Sequence, residues 1–156
     1  MAEFGYNETQ TLAPGAAAIL ENIRPCTHRP QLVLHENLSP NIGLRGKPLT
    51  VGCPCGDYQY LVKFSGNIAI TAGGAAGEIQ LALNQNGQIL PLTIAVATPA
   101  AAEQFWHVSG EKTITAPAGC CPTVTVVNAS VSPTPATTPA PTIDVRNLNV
   151  TVTRTA

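Results

Sequence analysis

The stretch EIQLALNQNGQILPLTIAV, residues 78–96, decides the fold class of this chain. In its first half Ile79, Leu81 and Leu83 alternate with polar residues, and period-two alternation is typical of a β-strand with one face on a core. The dipeptide Asn86-Gly87 follows, and Asn-Gly readily adopts the positive φ angles of a type I′ turn. A second apolar run begins directly after it. The stretch therefore predicts a β-hairpin.

Runs with the same period occupy most of the chain, at 32–36, 57–64, 67–71, 105–110, 112–116, 123–128 and 147–155. In the last of them Leu148, Val150 and Val152 alternate with polar residues. No window carries a sustained helical stripe. Short strands with Gly and Pro turn signals at regular intervals are typical of sandwiches and barrels. We predict an all-β protein, an antiparallel jelly-roll sandwich of about eight to ten strands.

The length of 156 residues suits a single domain. Residues 16–156 are predicted to form the jelly roll, and residues 1–15 form either an N-terminal arm or its first strand. The segment SPTPATTPAP, residues 132–141, has the composition of a linker, but a strand-like run follows it. We therefore expect an extended loop between the last two strands.

Charged residues are scarce. Asp, Glu, Lys and Arg make up 11% of the chain, against roughly 25% in a typical soluble domain. Because a charge costs free energy when it leaves water unpaired, such a surface favours burial against other chains. The formal net charge of −1 and the lack of basic clusters argue against nucleic-acid binding. No apolar run approaches the ~20 residues of a membrane-spanning helix, and the first ten residues lack signal-peptide features, so we expect synthesis in the cytoplasm and no membrane partner.

Cysteine usage is the sharpest local feature, with residues Cys26, Cys53, Cys55, Cys120 and Cys121. A Cys-Pro-Cys spacing is one residue shorter than the usual zinc knuckle, and adjacent cysteines seldom face one ion, so a metal site is disfavoured. Disulfides remain open as an alternative. Pro117-Ala118-Gly119 predicts a turn, which places the 120–121 pair at the start of strand 123–128. We expect structural residues there, one packed inward and the other able to bond to Cys53 or Cys55.

Catalytic patterns are missing from the sequence. It contains no nucleophile elbow, zinc-protease, P-loop or dinucleotide motif. Seven Glu and two Asp are scattered along the chain rather than clustered. His107 lies within an apolar strand-like run, where a packed or edge-exposed histidine is the common case. We therefore expect no enzyme, no cofactor and no metal.

The order of several motifs resembles a group of small virion accessory proteins of tailed phages of gut Firmicutes. The motifs are YNETQTLAPGAAAIL (6–20), LVLHENLSPNIGLRG (32–46), YLVKFSGNIAITAGGAAGEIQLALNQNGQILP (60–91) and ITAPAGCCPTVTVVN (114–128). The segment 64–83 also resembles the trimeric jelly roll that ends the collagen-like glycoproteins of spore exosporium, which is similar in shape to the tumour-necrosis-factor fold. The resemblance implies a homotrimer on the capsid surface.

The resulting hypothesis is a structural protein of a tailed-phage virion that decorates or cements the capsid as a homotrimer, bound to the major capsid protein or another virion protein. Residues 1–12 would reach the shell. The residues predicted at the trimer interface are Ile68, Ile70, Leu81 and Leu83; the alternative is that they fill the sandwich core. Two other functions stay open: a host-surface or carbohydrate-binding module on a fibre or tail, and a bacterial spore-surface protein.

Overall fold

Twelve β-strands and one 3₁₀ turn build the described part of the chain, residues 1–24, 32–49, 56–133 and 138–156 of a computed structural model. The strands are β1 (Ala2–Tyr6), β2 (Gln10–Leu12), β3 (Glu21–Arg24), β4 (Val33–His35), β5 (Ile42–Leu44), β6 (Tyr58–Ile70), β7 (Ile79–Gln85), β8 (Gln88–Ile89), β9 (Ala95–Ala97), β10 (Trp106–Ala116), β11 (Thr123–Asn128) and β12 (Ile143–Arg154). The 3₁₀ turn spans Pro91–Thr93.

The strands form two six-stranded antiparallel sheets. Sheet A has the order β10-β6-β12-β1-β3, with β2 also paired to β12. Sheet B has the order β4-β5-β11-β7-β8, with β9 also paired to β7. From β6 to β12 the long strands alternate between the sheets, as a jelly roll requires. The predicted all-β antiparallel sandwich is confirmed.

The predicted hairpin is present as β7 and β8. Asn86 and Gly87 have φ angles of 51° and 86°, and Gln85 pairs with Gln88 across the turn. The run after the turn differs from the prediction, because Pro91 has no N–H to donate to a ladder. The chain therefore leaves the sheet in the 3₁₀ turn and rejoins it as β9.

The strand count also differs from the expected eight to ten. The runs at 57–64 and 67–71 join into β6, and those at 105–110 and 112–116 join into β10, because the two strands pair without interruption through Ser65 and Ser109. The first 24 residues add three strands, and β4, β5, β8 and β9 contain only two or three residues each. Such short strands are set by their partners more than by their own pattern.

Residues 1–12 belong to the sandwich and are not a projecting arm. β1 pairs with β12 from Ala2 to Tyr6, and β2 pairs with the first residues of the same strand. Of the two alternatives for the N-terminus, the structure shows strands. The described parts of the proline-rich stretch, 132–133 and 138–141, contain no strand; residues 134–137 lie outside the described chain.

A bulge keeps the long strand β12 facing the core along its whole length. The register against β6 shifts between Arg146 and Asn149, and Asn147 has a φ of 51°. The extra residue lets Val145 and Leu148 both point inward although three positions separate them. Leu148, Val150 and Val152 are buried, as their alternation predicts.

Candidate functional site

An apolar ridge runs along one edge of the sandwich, where β9 of sheet B lies against β10 of sheet A. Its side chains remain in solvent with exposed fractions of 83% (Leu92), 51% (Val96), 50% (Trp106), 39% (Ile89) and 37% (Ile94). We call these five residues the edge ridge. Single exposed apolar residues are ordinary, but five of them on neighbouring segments at one edge of the sandwich favour an interaction surface.

One buried hydroxyl holds the ridge in place. Thr93 is 2% exposed, and its Oγ1 donates to the Leu90 carbonyl at 2.8 Å and accepts from the Leu83 amide at 2.9 Å. Because Thr93 is anchored inward, its neighbours Leu92 and Ile94 face outward. The backbones of the 3₁₀ turn and of β10 also lie close together: a Cβ added to Gly110 of β10 would lie 2.8 Å from the Thr93 carbonyl oxygen.

The outer face of sheet A carries a shallow depression of about 470 Å³. Small polar side chains line it, among them Ser65, Ser109 and Thr151. Lys63 Nζ and Glu111 Oε2 lie 2.8 Å apart on its wall, with both side chains more than half exposed. A pair this exposed contributes at most about 1 kcal/mol to stability. The depression is therefore lined mainly by small polar side chains, and its one ion pair has no net charge.

A second depression of about 460 Å³ lies beside β4 and contains His35. The His35 Nδ1 is 2.7 Å from Asn22 Oδ1, and its Nε2 is 3.0 Å from the Ser39 carbonyl oxygen. The Phe4 ring packs against the imidazole, with 4.6 Å between centroids. Burial lowers the pKa of His35 below its ordinary value of 6.5, and the hydrogen bond to Ser39 opposes that shift.

The four residues predicted at the trimer interface lie in the core of this chain's own sandwich. Ile68, Leu81 and Leu83 are 0% exposed and Ile70 is 1% exposed in the single chain. A side chain with no accessible surface has none to bury against a second copy. The prediction that these four residues form the trimer interface is therefore wrong, and the alternative, that they fill the sandwich core, is correct. Period-two alternation identifies residues that share a face but not what covers that face.

The cysteine pair is exposed. Cys120 and Cys121 are both free thiols on the surface, so the expectation that one packs inward is wrong. The predicted turn is present: the Cys120 amide donates to the Pro117 carbonyl at 3.0 Å, and Gly119 has a φ of 75°. Pro117 and Gly119 thus direct the pair away from the core. Cys26, Cys53 and Cys55 lie outside the described residues.

Among the described residues, no three or more His, Cys, Asp or Glu side chains come together in a way that could hold a metal ion. Within the same ranges no helix is long and apolar enough to cross a membrane.

No protein-family model matches the chain, and no curated protein matches it in sequence. Solved structures do match it in shape. The tumour necrosis factor Eiger of S. frugiperda superposes with a TM-score of 0.61 at 10% sequence identity, covering 99% of this chain and 91% of that one. This chain has a tumour-necrosis-factor-like jelly-roll fold.

Two further solved structures are more distant. The globular domain of zebrafish complement 1qA has a TM-score of 0.46 at 13% identity, with 97% of this chain and 96% of that one covered. The sugar-binding C-terminal domain of EclA has a TM-score of 0.36 at 13% identity, with 83% and 90% covered. At these identities a likeness shows the fold alone.

Sequence reasoning missed the edge ridge. The run 88–96 carries the same apolar alternation as the core strands, and nothing local distinguishes a strand that faces inward from one displaced by a 3₁₀ turn. The available signal was Pro91, which interrupts the run and is tolerated at a sheet edge.

Proposed function

We propose that this protein is a structural subunit that assembles as a homotrimer, and that the trimer decorates or cements the capsid of a tailed phage. The edge ridge carries the assembly part of the proposal. Leu92, Val96 and Trp106 are each at least half exposed, and removing such surface from water is worth roughly 25 cal/mol per Å². A second copy of the chain is the occupant proposed for it.

A ring of three copies needs a heterologous interface, in which one surface of a subunit meets a different surface of its neighbour. The edge ridge supplies exposed apolar side chains, and the depression on the outer face of sheet A supplies a concave surface. The small side chains Ser65, Ser109 and Thr151 leave room there for larger side chains. We propose that the edge ridge of each subunit packs into the sheet A depression of the next.

The scarcity of charge supports the same assignment. Only 11% of the residues are charged, so a subunit can bury a large area with few ions to desolvate. The role proposed is structural and involves no catalytic step.

The virion part of the proposal rests on the motif resemblance described for the sequence. A trimer seated on a threefold position of a shell can bridge neighbouring capsomers, and its binding stabilises the assembled state by mass action. The proposed partner is the major capsid protein or another virion protein. The proposed location is the capsid surface, after synthesis in the host cytoplasm.

Two measurements test the proposal. Light scattering on the purified chain should give the mass of three copies at micromolar concentration, a stability that obligate interfaces above ~2,000 Å² commonly reach. A cryo-EM map of virions of the phage that encodes the chain should show trimeric density on the capsid. A monomer in solution would exclude the assembly, and virions free of the chain would exclude the decorating role.

A further inference from the structure

An uncharged polar groove of about 370 Å³ lies on the outer face of sheet B, on the opposite side of the sandwich from the sheet A depression. Thr125 of β11 stands opposite Asn84 of β7. Asn41, Asn86 and Thr123 complete the polar lining. We call these five residues the amide groove; Gly15, Ala17, Gly87 and Val127 complete its surface.

Three of the five side chains of the amide groove have unused hydrogen-bonding capacity. The side chains of Asn41, Asn84 and Thr125 make no hydrogen bond to any other described residue. Asn84 and Thr125 are nevertheless half-buried on regular strands, so their positions are set by the sheet. Two free amides and a free hydroxyl thus face the same concavity.

The rim of the amide groove is held firmly. Asn86 Oδ1 accepts from the Thr123 amide at 2.8 Å, and the Asn86 amide donates to the Thr123 carbonyl at 2.9 Å. These bonds tie the β7–β8 turn to the start of β11 and leave the Asn86 side-chain NH₂ free to donate outward. A site fixed before binding loses less conformational entropy when a ligand arrives.

The lining chemistry selects the ligand class. A side-chain amide presents one acceptor and one donor group side by side, and a hydroxyl is both donor and acceptor, which matches the neighbouring hydroxyls of a sugar ring. Among the residues that the structure describes, no charged side chain lines the amide groove, so these residues offer no counter-charge to a phosphate, nucleotide or metal ligand. Glycine and alanine in its surface allow a ring to approach closely.

The amide groove continues into the depression that contains His35. Asn41 and Thr123 line both, and the second cavity adds Asn22 and Ser39. Apart from His35, Glu36 is the only titratable side chain on the combined lining within the described residues. Each cavity lies within the roughly 300–1,000 Å³ of small-ligand sites, and the two adjoin at Asn41 and Thr123.

We propose that the amide groove binds a neutral glycan chain, with Asn84, Thr125 and Asn41 contacting its hydroxyl groups. The described lining of the amide groove contains no aromatic side chain, so the affinity depends on hydrogen bonds and is weak, on the order of millimolar for an oligosaccharide. The site lies on the other sheet from the proposed trimer depression, and glycan binding and assembly are therefore tested separately.

The test is an NMR titration of the ¹⁵N-labelled full chain with four neutral hexasaccharides: cellohexaose, xylohexaose, mannohexaose and chitohexaose. The side-chain NH₂ signals of Asn41 and Asn84 should shift saturably with at least one of them at millimolar concentration. Asn84→Ala and the isosteric Thr125→Val should each weaken that binding roughly three- to tenfold, the loss of one hydrogen bond.

Asn67→Ala is the matched control. Asn67 is also half-buried on a strand and without a side-chain hydrogen bond to described residues, but it lies in sheet A on β6. It should leave glycan binding unchanged. The proposal is overturned if none of the four hexasaccharides shifts the Asn41 and Asn84 signals, or if Asn67→Ala weakens binding as much as Asn84→Ala. Light scattering on the same samples reports the oligomeric state independently.

Discussion

Val96→Asp should dissociate the proposed trimer without unfolding the subunit. The five side chains of the edge ridge together expose the equivalent of about two and a half whole side chains, which corresponds to about 4–8 kcal/mol per interface at about 1.5–3 kcal/mol per side chain. Val96 is 51% exposed in the single chain, so its share is about 1 kcal/mol. A carboxylate left unpaired in the interface costs several kcal/mol more.

The substitution therefore removes at least about 3 kcal/mol from each interface, or about 9 kcal/mol from a closed ring of three. At 1.4 kcal/mol per factor of ten, the association constant falls by about six orders of magnitude. Size-exclusion chromatography with light scattering at micromolar concentration should show a trimer for the unmodified chain and a monomer for Val96→Asp. When both proteins are compared as monomers, they should unfold at similar urea concentrations.

Leu38→Asp is the matched control, because Leu38 is 52% exposed in the turn after β4, away from the edge ridge. It should remain trimeric. The reasoning is refuted if Val96→Asp stays trimeric at micromolar concentration, or if Leu38→Asp dissociates equally. The first result would mean that the interface excludes the edge ridge, and the second that any added negative charge suffices.

Three further predictions concern the fold. Leu81→Asp should leave no folded chain in circular dichroism at any concentration, because Leu81 is 0% exposed in the core and an unpaired buried charge costs several kcal/mol; a folded monomer would contradict this. Asn128→Ala should lower the free energy of unfolding in urea by about 3–5 kcal/mol. Buried Asn128 donates to the Leu12 and Pro141 carbonyls and accepts from the Ser130 amide, each at 3.0 Å. A loss below about 1 kcal/mol would show that water replaces the side chain. Because burial lowers the pKa of His35, the unfolded chain takes up that proton first as the pH falls, so stability should decline from about pH 6.5 down to the folded pKa. His35→Gln should remove this pH dependence of the urea midpoint. His107→Gln should keep it, because His107 is exposed on β10.

The amino-acid sequence by itself determined the class of the fold and much of its strand content. Alternation at 79–83 and 148–152 identified side chains that are buried in the structure, and Asn86-Gly87 identified the hairpin turn. These features are local: a strand's period and a turn's φ angles depend on residues within a few positions of one another. The Pro117–Gly119 turn was predictable for the same reason.

Tertiary structure decided which surfaces are free. Ile68 and Leu83 share the pattern of Ile94 and Val96, yet the first two are covered by the opposite sheet and the others lie in solvent at the sandwich edge. In the sequence, Asn128 is an ordinary polar residue at a strand end. In the structure it is buried, and its side chain donates to the carbonyls of Leu12 and Pro141. The amide groove joins residues 41, 84 and 125 from three strands or their flanks. Burial and convergence depend on segments distant in sequence, and no local pattern contains them.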